Sequence, residues 1–262
     1  LRGAPREWNL DLDAMRQRLE QMQEGPTRGF ARLLTEVSLP SGFDPDAPDV
    51  WARVLRAVEE GFGYSGFLSV EQETAVRAVL RGDDVMVILP TSAGKSLAFQ
   101  LPALLTPGLT VVFSPLKALM KDQVRILKDY GIKAISIQTG MRRDEIISAM
   151  ENCIFGGYKF LYVSPERLSS DLFKSKLKSI KVNLITVDES HCISQWGYDF
   201  RPSYLQIAEI RKLLPGVPVL ALTATATSRV ADDIQDKLGF PEKNVIRMSF
   251  YRENLSYVVR TT

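Results

Sequence analysis

Lys95 and Ser96 follow an apolar run, Val85-Met86-Val87-Ile88, across the short segment Leu89-Pro90-Thr91-Ser92-Ala93-Gly94. A lysine and a hydroxyl at a tight strand-to-helix turn suit phosphate chemistry. Such a turn gathers backbone N–H groups toward one point, and the helix N-terminus adds its positive dipole end. From there Lys95 can reach the β- and γ-phosphates of a nucleotide, and the Ser96 hydroxyl can ligate Mg²⁺. Thr91, Ser92, Ala93 and Gly94 form the loop itself. The full phosphate-loop pattern has a glycine five positions before the Gly-Lys-Ser, where this chain has Leu89. Taken alone, the segment also reads as an ordinary strand-to-helix turn. The second chemical pair is Asp188-Glu189, at the end of the β-branched and nearly all-apolar run Val182 to Val187. Carboxylates at the C-terminal end of a parallel strand lie where open α/β sheets bind ligands. Asp188 can hold Mg²⁺, usually through water, and Glu189 can position and deprotonate an attacking water. Two such acids alone are a solvated strand end. Set beside a Lys-Ser loop on another strand, they favour nucleotide hydrolysis.

The elements that must position these groups alternate regularly from Ser69 onward. Helix 69–81 precedes strand 84–89, helix 94–105 precedes strand 109–114, and helix 116–129 precedes strand 133–138. Helix 142–152 precedes strand 159–163, a short helix near 171–178 leads into strand 182–187, and helix 203–214 leads into strand 217–222 and helix 227–238. This order predicts parallel βαβ units and an α/β fold, with a mostly parallel sheet covered on both faces. Residues 1–60 differ and are expected to form a helical N-terminal extension. Leu10 to Glu24 reads as a polar amphipathic helix, Pro40 to Asp49 as a loop, and Val50 to Glu60 as a second helix. The extension reads equally as an accessory element or as a leader docked on the core. The main lobe is expected over 61–250, and 251–262 as the start of a connector with a new strand that continues elsewhere.

Composition narrows the partners. The chain has 262 residues, 45% of them hydrophobic, and a net charge of +2. No global basic field announces nucleic acid, so any such surface must be local. The two cysteines, Cys153 and Cys192, have no metal spacing and suggest a reducing compartment. No apolar run reaches transmembrane length and no signal peptide is visible, so the sequence reads as cytoplasmic, with no membrane partner.

The motifs form an ordered set that resembles the first RecA-like lobe of a superfamily 2 helicase, and in particular the RecQ family of DNA helicases, over roughly residues 61–260. The most specific stretch is Asp188-Glu189-Ser190-His191-Cys192-Ile193-Ser194-Gln195-Trp196-Gly197-Tyr198-Asp199-Phe200-Arg201-Pro202, similar to the aromatic-rich loop that RecQ proteins carry after their paired acids. Phe62-Gly63-Tyr64, Phe67 and Gln72 resemble the motif before the phosphate loop, where the tyrosine stacks on adenine and the glutamine bonds its edge. The stretch from Phe67 to Gln72 is one residue longer than usual, and Leu68 stands where an arginine is common. Ser114 to Gln123, with Lys117 and Lys121, resembles a motif that contacts the nucleic-acid backbone. Ser164-Pro165-Glu166-Arg167-Leu168 resembles the next one. Leu222 to Thr227, with Thr223 and Thr225, resembles the motif that links hydrolysis to strand movement. Ser92-Ala93 stands where Gly-Gly is common in RecQ proteins, and Ser190 where alanine is.

The resemblance implies an ATP-dependent DNA helicase with 3′→5′ polarity, ATP and Mg²⁺ as cofactors, and single-stranded and duplex DNA as partners in repair and recombination. Lys95, Asp188, Glu189 and His191 would be catalytic, with His191 relaying between the loop and the ATP site. Gln195, Trp196 and Phe200 would sense single-stranded DNA, and Arg201 would meet a phosphate or one of the paired acids. A second RecA-like lobe, with its arginine fingers, is expected outside this chain. Two other readings stay open here: an RNA helicase or other superfamily 2 translocase, and a non-catalytic, nucleotide-gated nucleic-acid-binding module.

Overall fold

The computed structural model describes residues 26–90 and 93–249. The helix expected over Leu10 to Glu24, the loop residues Thr91 and Ser92, and the strand expected after Phe250 lie outside the described residues.

Seven strands form one parallel sheet. They are β1 (Val85–Ile88), β2 (Leu109–Phe113), β3 (Ala134–Ile137), β4 (Phe160–Val163), β5 (Val182–Val187), β6 (Val219–Thr223) and β7 (Val245–Arg247), in the spatial order β3-β4-β2-β5-β6-β1-β7. Every residue of β1, β2, β4 and β6 is buried. That is why these strands read as continuous apolar runs rather than alternating ones.

The helices are α1 (Pro26–Val37), α2 (Pro48–Arg56), α3 (Val70–Arg81), α4 (Lys95–Leu105), α5 (Lys117–Asp129), α6 (Arg143–Phe155), α7 (Asp171–Leu177), α8 (Ile207–Leu213) and α9 (Ser228–Leu238). Helices α1 to α5 bury their apolar sides against one sheet face, through residues such as Phe30, Val54, Ala75, Leu97 and Met120. Helices α6 to α9 cover the other face, through Ile146, Phe173, Ile210 and Ile234. Capping is explicit where the sequence offers it. Ser69 accepts from Gln72 N at 3.2 Å, and Thr227 accepts from Val230 N at 3.3 Å.

The expected strands and helices from residue 69 to 238 form with shifted ends, and three differences stand out. Residues Pro26–Val37 are helical where no helix was expected. The helix expected over 203–214 opens as a 3-10 turn, Pro202–Gln206, and becomes α-helical only at Ile207. Strand β7 was not anticipated; it extends the sheet beside β1. In the extension, α2 begins at Pro48, inside the expected loop, and runs on into a π turn, Ala57–Gly61. Among the described residues, no helix is long and apolar enough to cross a membrane.

Candidate functional site

The sheet order brings the two chemical pairs together. β1 and β5 flank β6, and Ile88 is in register with Thr223 while Val187 is in register with Ala221. The segments after β1, β5 and β6 therefore leave the sheet side by side at its C-terminal edge, the usual ligand edge of such folds. Lys95 opens α4, so its backbone N–H groups and those that follow point outward from the helix start. Gly94 ahead of it has φ +70°, a left-handed conformation that suits glycine. A Cβ at Gly94 would also collide with the Gln72 side-chain amide.

Two cavities meet at Lys95 and Ser96. One, of about 310 Å³, is also lined by Ser114, Asp188 and Glu189. The other, of about 350 Å³, is lined by Phe62, Tyr64, Leu68 and Gln72. Among the described residues of the first cavity, Lys95 is the only basic one. A larger cavity lies at the opposite edge of the sheet, around Asp84 and Arg211, away from these groups.

Burial, and then the charge of Glu189, push the Asp188 carboxyl up to about 6, against the pull of Lys95. Ser114 Oγ donates to Asp188 Oδ2 at 3.3 Å, and the Tyr204 hydroxyl donates to the Asp188 carbonyl oxygen at 3.0 Å. Glu189 is held below the usual carboxylate range, chiefly by its hydrogen bond with His191. It is the only described non-glycine residue with positive φ, at +49°. This backbone costs about 1–2 kcal/mol and turns the acid out of the strand direction. Cys192 N→Glu189 O at 2.9 Å and Glu189 N→Asp188 Oδ1 at 3.0 Å secure it.

His191 connects this site to the aromatic loop. Its Nδ1 lies 3.3 Å from Glu189 Oε2 and 3.0 Å from Thr223 Oγ1. The Thr223 hydroxyl bonds the Thr225 carbonyl oxygen in turn, at 3.2 Å. Tyr198 stacks on the His191 ring at 4.4 Å, with most of its own surface exposed. Trp196 is 59% exposed, so it is a loop residue and not a buried anchor, and the Arg229 guanidinium covers its ring at 3.5 Å. Gln195 is exposed, and Phe200 is half-buried with Lys237 near its ring.

Other expected site residues lie elsewhere or are engaged by the protein. Phe67 turns away from the Tyr64 cavity and stacks on Trp51 at 5.7 Å. Gln72 is fully buried, donating to the Gly94 carbonyl oxygen at 3.0 Å and accepting from Leu68 N at 2.9 Å. Arg201 meets neither paired acid; its Nη2 pairs with Asp199 at 2.9 Å, a partner two residues away. Arg167 binds the carbonyl oxygens of Gln138 and Met141, bracing the segment after β3. Lys117 donates to the Thr139 carbonyl oxygen at 3.1 Å, while Lys121 and Glu166 are exposed. Glu166 accepts from the Ser203 hydroxyl at 3.2 Å. The sequence gives Tyr198 no role beyond its place in the aromatic-rich stretch, and singles out neither Tyr204 nor Arg229. Each acts through a loop contact that no spacing announces.

Residues 69–234 match the DEAD/DEAH box helicase family. The chain belongs to that family. Within it, the DEAD/DEAH box helicase lobe described here is 45% identical over 200 residues to the ATP-dependent DNA helicase RecQ of Bacillus subtilis, covering 76% of this chain and 34% of that protein. It is 40% identical over 205 residues to RecQ of Haemophilus influenzae, covering 78% of this chain and 33% of that protein. The chain thus spans about a third of the length of these curated relatives. The fold is also similar to that of Mycobacterium smegmatis helicase Lhr, solved bound to ssDNA and AMP-PNP. The TM-score is 0.58 and the identity 22%, covering 72% of this chain and 27% of that one. This likeness concerns the RecA-like fold alone.

Proposed function

We propose that this chain is the ATP-binding lobe of an ATP-dependent, RecQ-like DNA helicase, coupling ATP hydrolysis to movement on single-stranded DNA. The observation that carries the reading is the contact series Tyr198–His191–Glu189, which joins an exposed aromatic loop to the cavity of Lys95 and Asp188. A base arriving at Trp196 or Tyr198 is then mechanically connected to the acid that faces the attacking water. Base stacking on an aromatic is worth roughly 1–3 kcal/mol, enough to bias such a contact.

The residues fit Mg²⁺ and ATP. Asp188 is a buried acid whose charge is disfavoured until a cation arrives, and Ser96 lines the same cavity. Asp188 and Ser96 would hold Mg²⁺, which when bound neutralises charge on the phosphate oxygens. Lys95 and the N-terminus of α4 hold the β- and γ-phosphates. Glu189 orients a water for in-line attack and takes its proton, and the His191 contact keeps that carboxylate ionised and aimed. Tyr64 offers its exposed face to the adenine. Gln72 would bond the adenine edge only by exchanging its present partners, Gly94 and Leu68. Lys117, Lys121 and Trp196 would meet the DNA strand, with 3′→5′ movement and a repair or recombination role following from the RecQ likeness. We place this work in the cytoplasm, on the reasoning that both cysteines are free and buried.

The test is ATP hydrolysis by the chain, alone and with single-stranded DNA or RNA, with Glu189→Gln as the blank. DNA-specific stimulation is expected. Preferential stimulation by RNA would transfer the chain to the RNA helicases. Lys95→Ala is expected to lose nucleotide binding with an unchanged circular-dichroism spectrum, and equal ATP affinity in the two proteins would remove the phosphate-loop assignment.

A further inference from the structure

The reading above uses the aromatic loop but not the helix behind it. Arg229, Asp233 and Lys237 recur every four residues along α9 and so share one of its faces. All three grip the loop. Asp233 accepts from the buried Ser194 hydroxyl at 2.6 Å, and Ser194 Oγ accepts in turn from the Trp196 N–H at 3.2 Å. Lys237 donates to the Ile193 carbonyl oxygen at 3.4 Å and pairs with Asp233 at 3.1 Å. The loop backbone also packs so closely that a Cβ at Gly197 would lie 2.5 Å from the His191 carbonyl oxygen. The segment from Ser194 to Gly197 is thus fixed, and the Trp196 ring projects from it, largely exposed.

Arg229 differs from the other two. It touches only the ring, its guanidinium carbon 3.5 Å from the centre of Trp196. The residue is exposed, and among the described residues no carboxylate pairs with it. Asp233, the acid one turn on, is engaged by Ser194 and Lys237. Arg229 is also the second residue of α9, where the helix dipole disfavours a cation. At 3.5 Å the carbon is at stacking distance, so the contact uses the face of the guanidinium. Its five N–H donors lie in the plane and stay available. A cation braced on an exposed ring, with its donors unpaired, suits a phosphate, which a guanidinium meets through two parallel N–H bonds. An open cavity of about 480 Å³, lined by Tyr198, Thr225 and Arg247, adjoins the same ring.

We propose that Trp196 and Arg229 together form a one-nucleotide subsite for single-stranded nucleic acid, the ring taking the base and the guanidinium the adjoining phosphate. The ring braces the guanidinium, and the Asp233–Ser194 bond holds the backbone that carries the ring. Arg229 reads no sequence, because a phosphate carries none. The subsite rests on the reading above that a strand arrives at Trp196.

The test is the salt dependence with which the full 262-residue chain binds a short, fluorescein-labelled oligodeoxythymidylate, read by fluorescence anisotropy. Each phosphate contact to a single strand contributes about 0.7 to the slope of log affinity against log salt. Arg229→Gln is expected to lose about that much slope, binding about 5- to 10-fold more weakly at about 0.05 M salt and converging with the wild type near about 1 M. In a Trp196→Ala background, where the brace is gone, the same change is expected to alter affinity by less than about 2-fold, the two residues acting as one unit. An unchanged slope in Arg229→Gln, or an equal loss with and without the Trp196 ring, would overturn the subsite and leave the DNA reading standing. A wild-type chain that binds the oligonucleotide at no salt concentration would instead overturn the DNA reading, and the subsite with it.

Discussion

Asp188 carries its charge reluctantly. Its carboxyl is raised to about 6 by burial first and by Glu189 second, so without a cation its ionisation weighs against folding above pH 6. That load is relieved as pH falls through 6 toward the ordinary value of 3.8. A bound divalent cation reverses the preference, because it requires the carboxylate. Mn²⁺ affinity is therefore expected to be flat above about pH 7 and to fall roughly tenfold per pH unit below 6. Electron paramagnetic resonance titrations between pH 5 and 8 would read this directly. A profile without the break would mean that the cation does not meet Asp188. The pairing of Lys95 with Asp188 was legible in the sequence because each residue ends or follows an apolar run. The neighbours that tune the pair were not. Tyr204 reaches Asp188 across a 3-10 turn, and Gln72 closes on Gly94 from a different helix. Such contacts depend on how loops fold back, which neither spacing nor periodicity encodes.

At the scale of elements, Trp51 is one of the side chains that join the extension to the lobe. Trp51 of α2 lies between Phe67, stacked at 5.7 Å with the rings 17° apart, and the Arg77 guanidinium of α3, 3.4 Å from its ring centre. Helices α1 and α2 share the core with α3 and α4 through Phe30, Val54, Ala75 and Leu97. Trp51→Ala is expected to destabilise the chain by about 2–3 kcal/mol, through lost burial and the lost ring contacts. Urea unfolding would measure it, and a change below about 0.5 kcal/mol would mean that the extension only rests on the surface. The central strands were legible because burial on both faces makes them apolar throughout. Strand β7 was not, since Val245 and Arg247 are exposed and three residues make no pattern. Helix α1 did leave a signal, with Phe30, Leu33, Leu34 and Val37 at helical spacing and packed inward.

For the whole molecule, the cavity that holds Asp188 and Glu189 has a single described cation, Lys95. Where a transition-state arginine acts in phosphoryl transfer, it contributes about 10³–10⁵-fold. Turnover by this chain at saturating Mg·ATP is accordingly expected on the order of 0.01 s⁻¹ or less, against about 10 s⁻¹ for a typical enzyme. A steady-state rate near the typical value would mean that the transition-state cation already lies within these residues.

The strand order also dictates when the lobe can take shape. β1 hydrogen-bonds only to β6 and β7, with Val85 beside Leu220 and Met86 beside Val245. A ribosome thus makes the strand that carries the phosphate loop long before it makes either neighbour. Through most of synthesis Val85-Met86-Val87-Ile88 is an apolar segment with open hydrogen-bonding edges, the kind that aggregates or recruits chaperones. Pairing over such sequence separations is slow to find, so a nascent chain halted before β6 emerges should remain protease-sensitive at the phosphate loop, however well the part of the sheet from β2 to β5 has already formed.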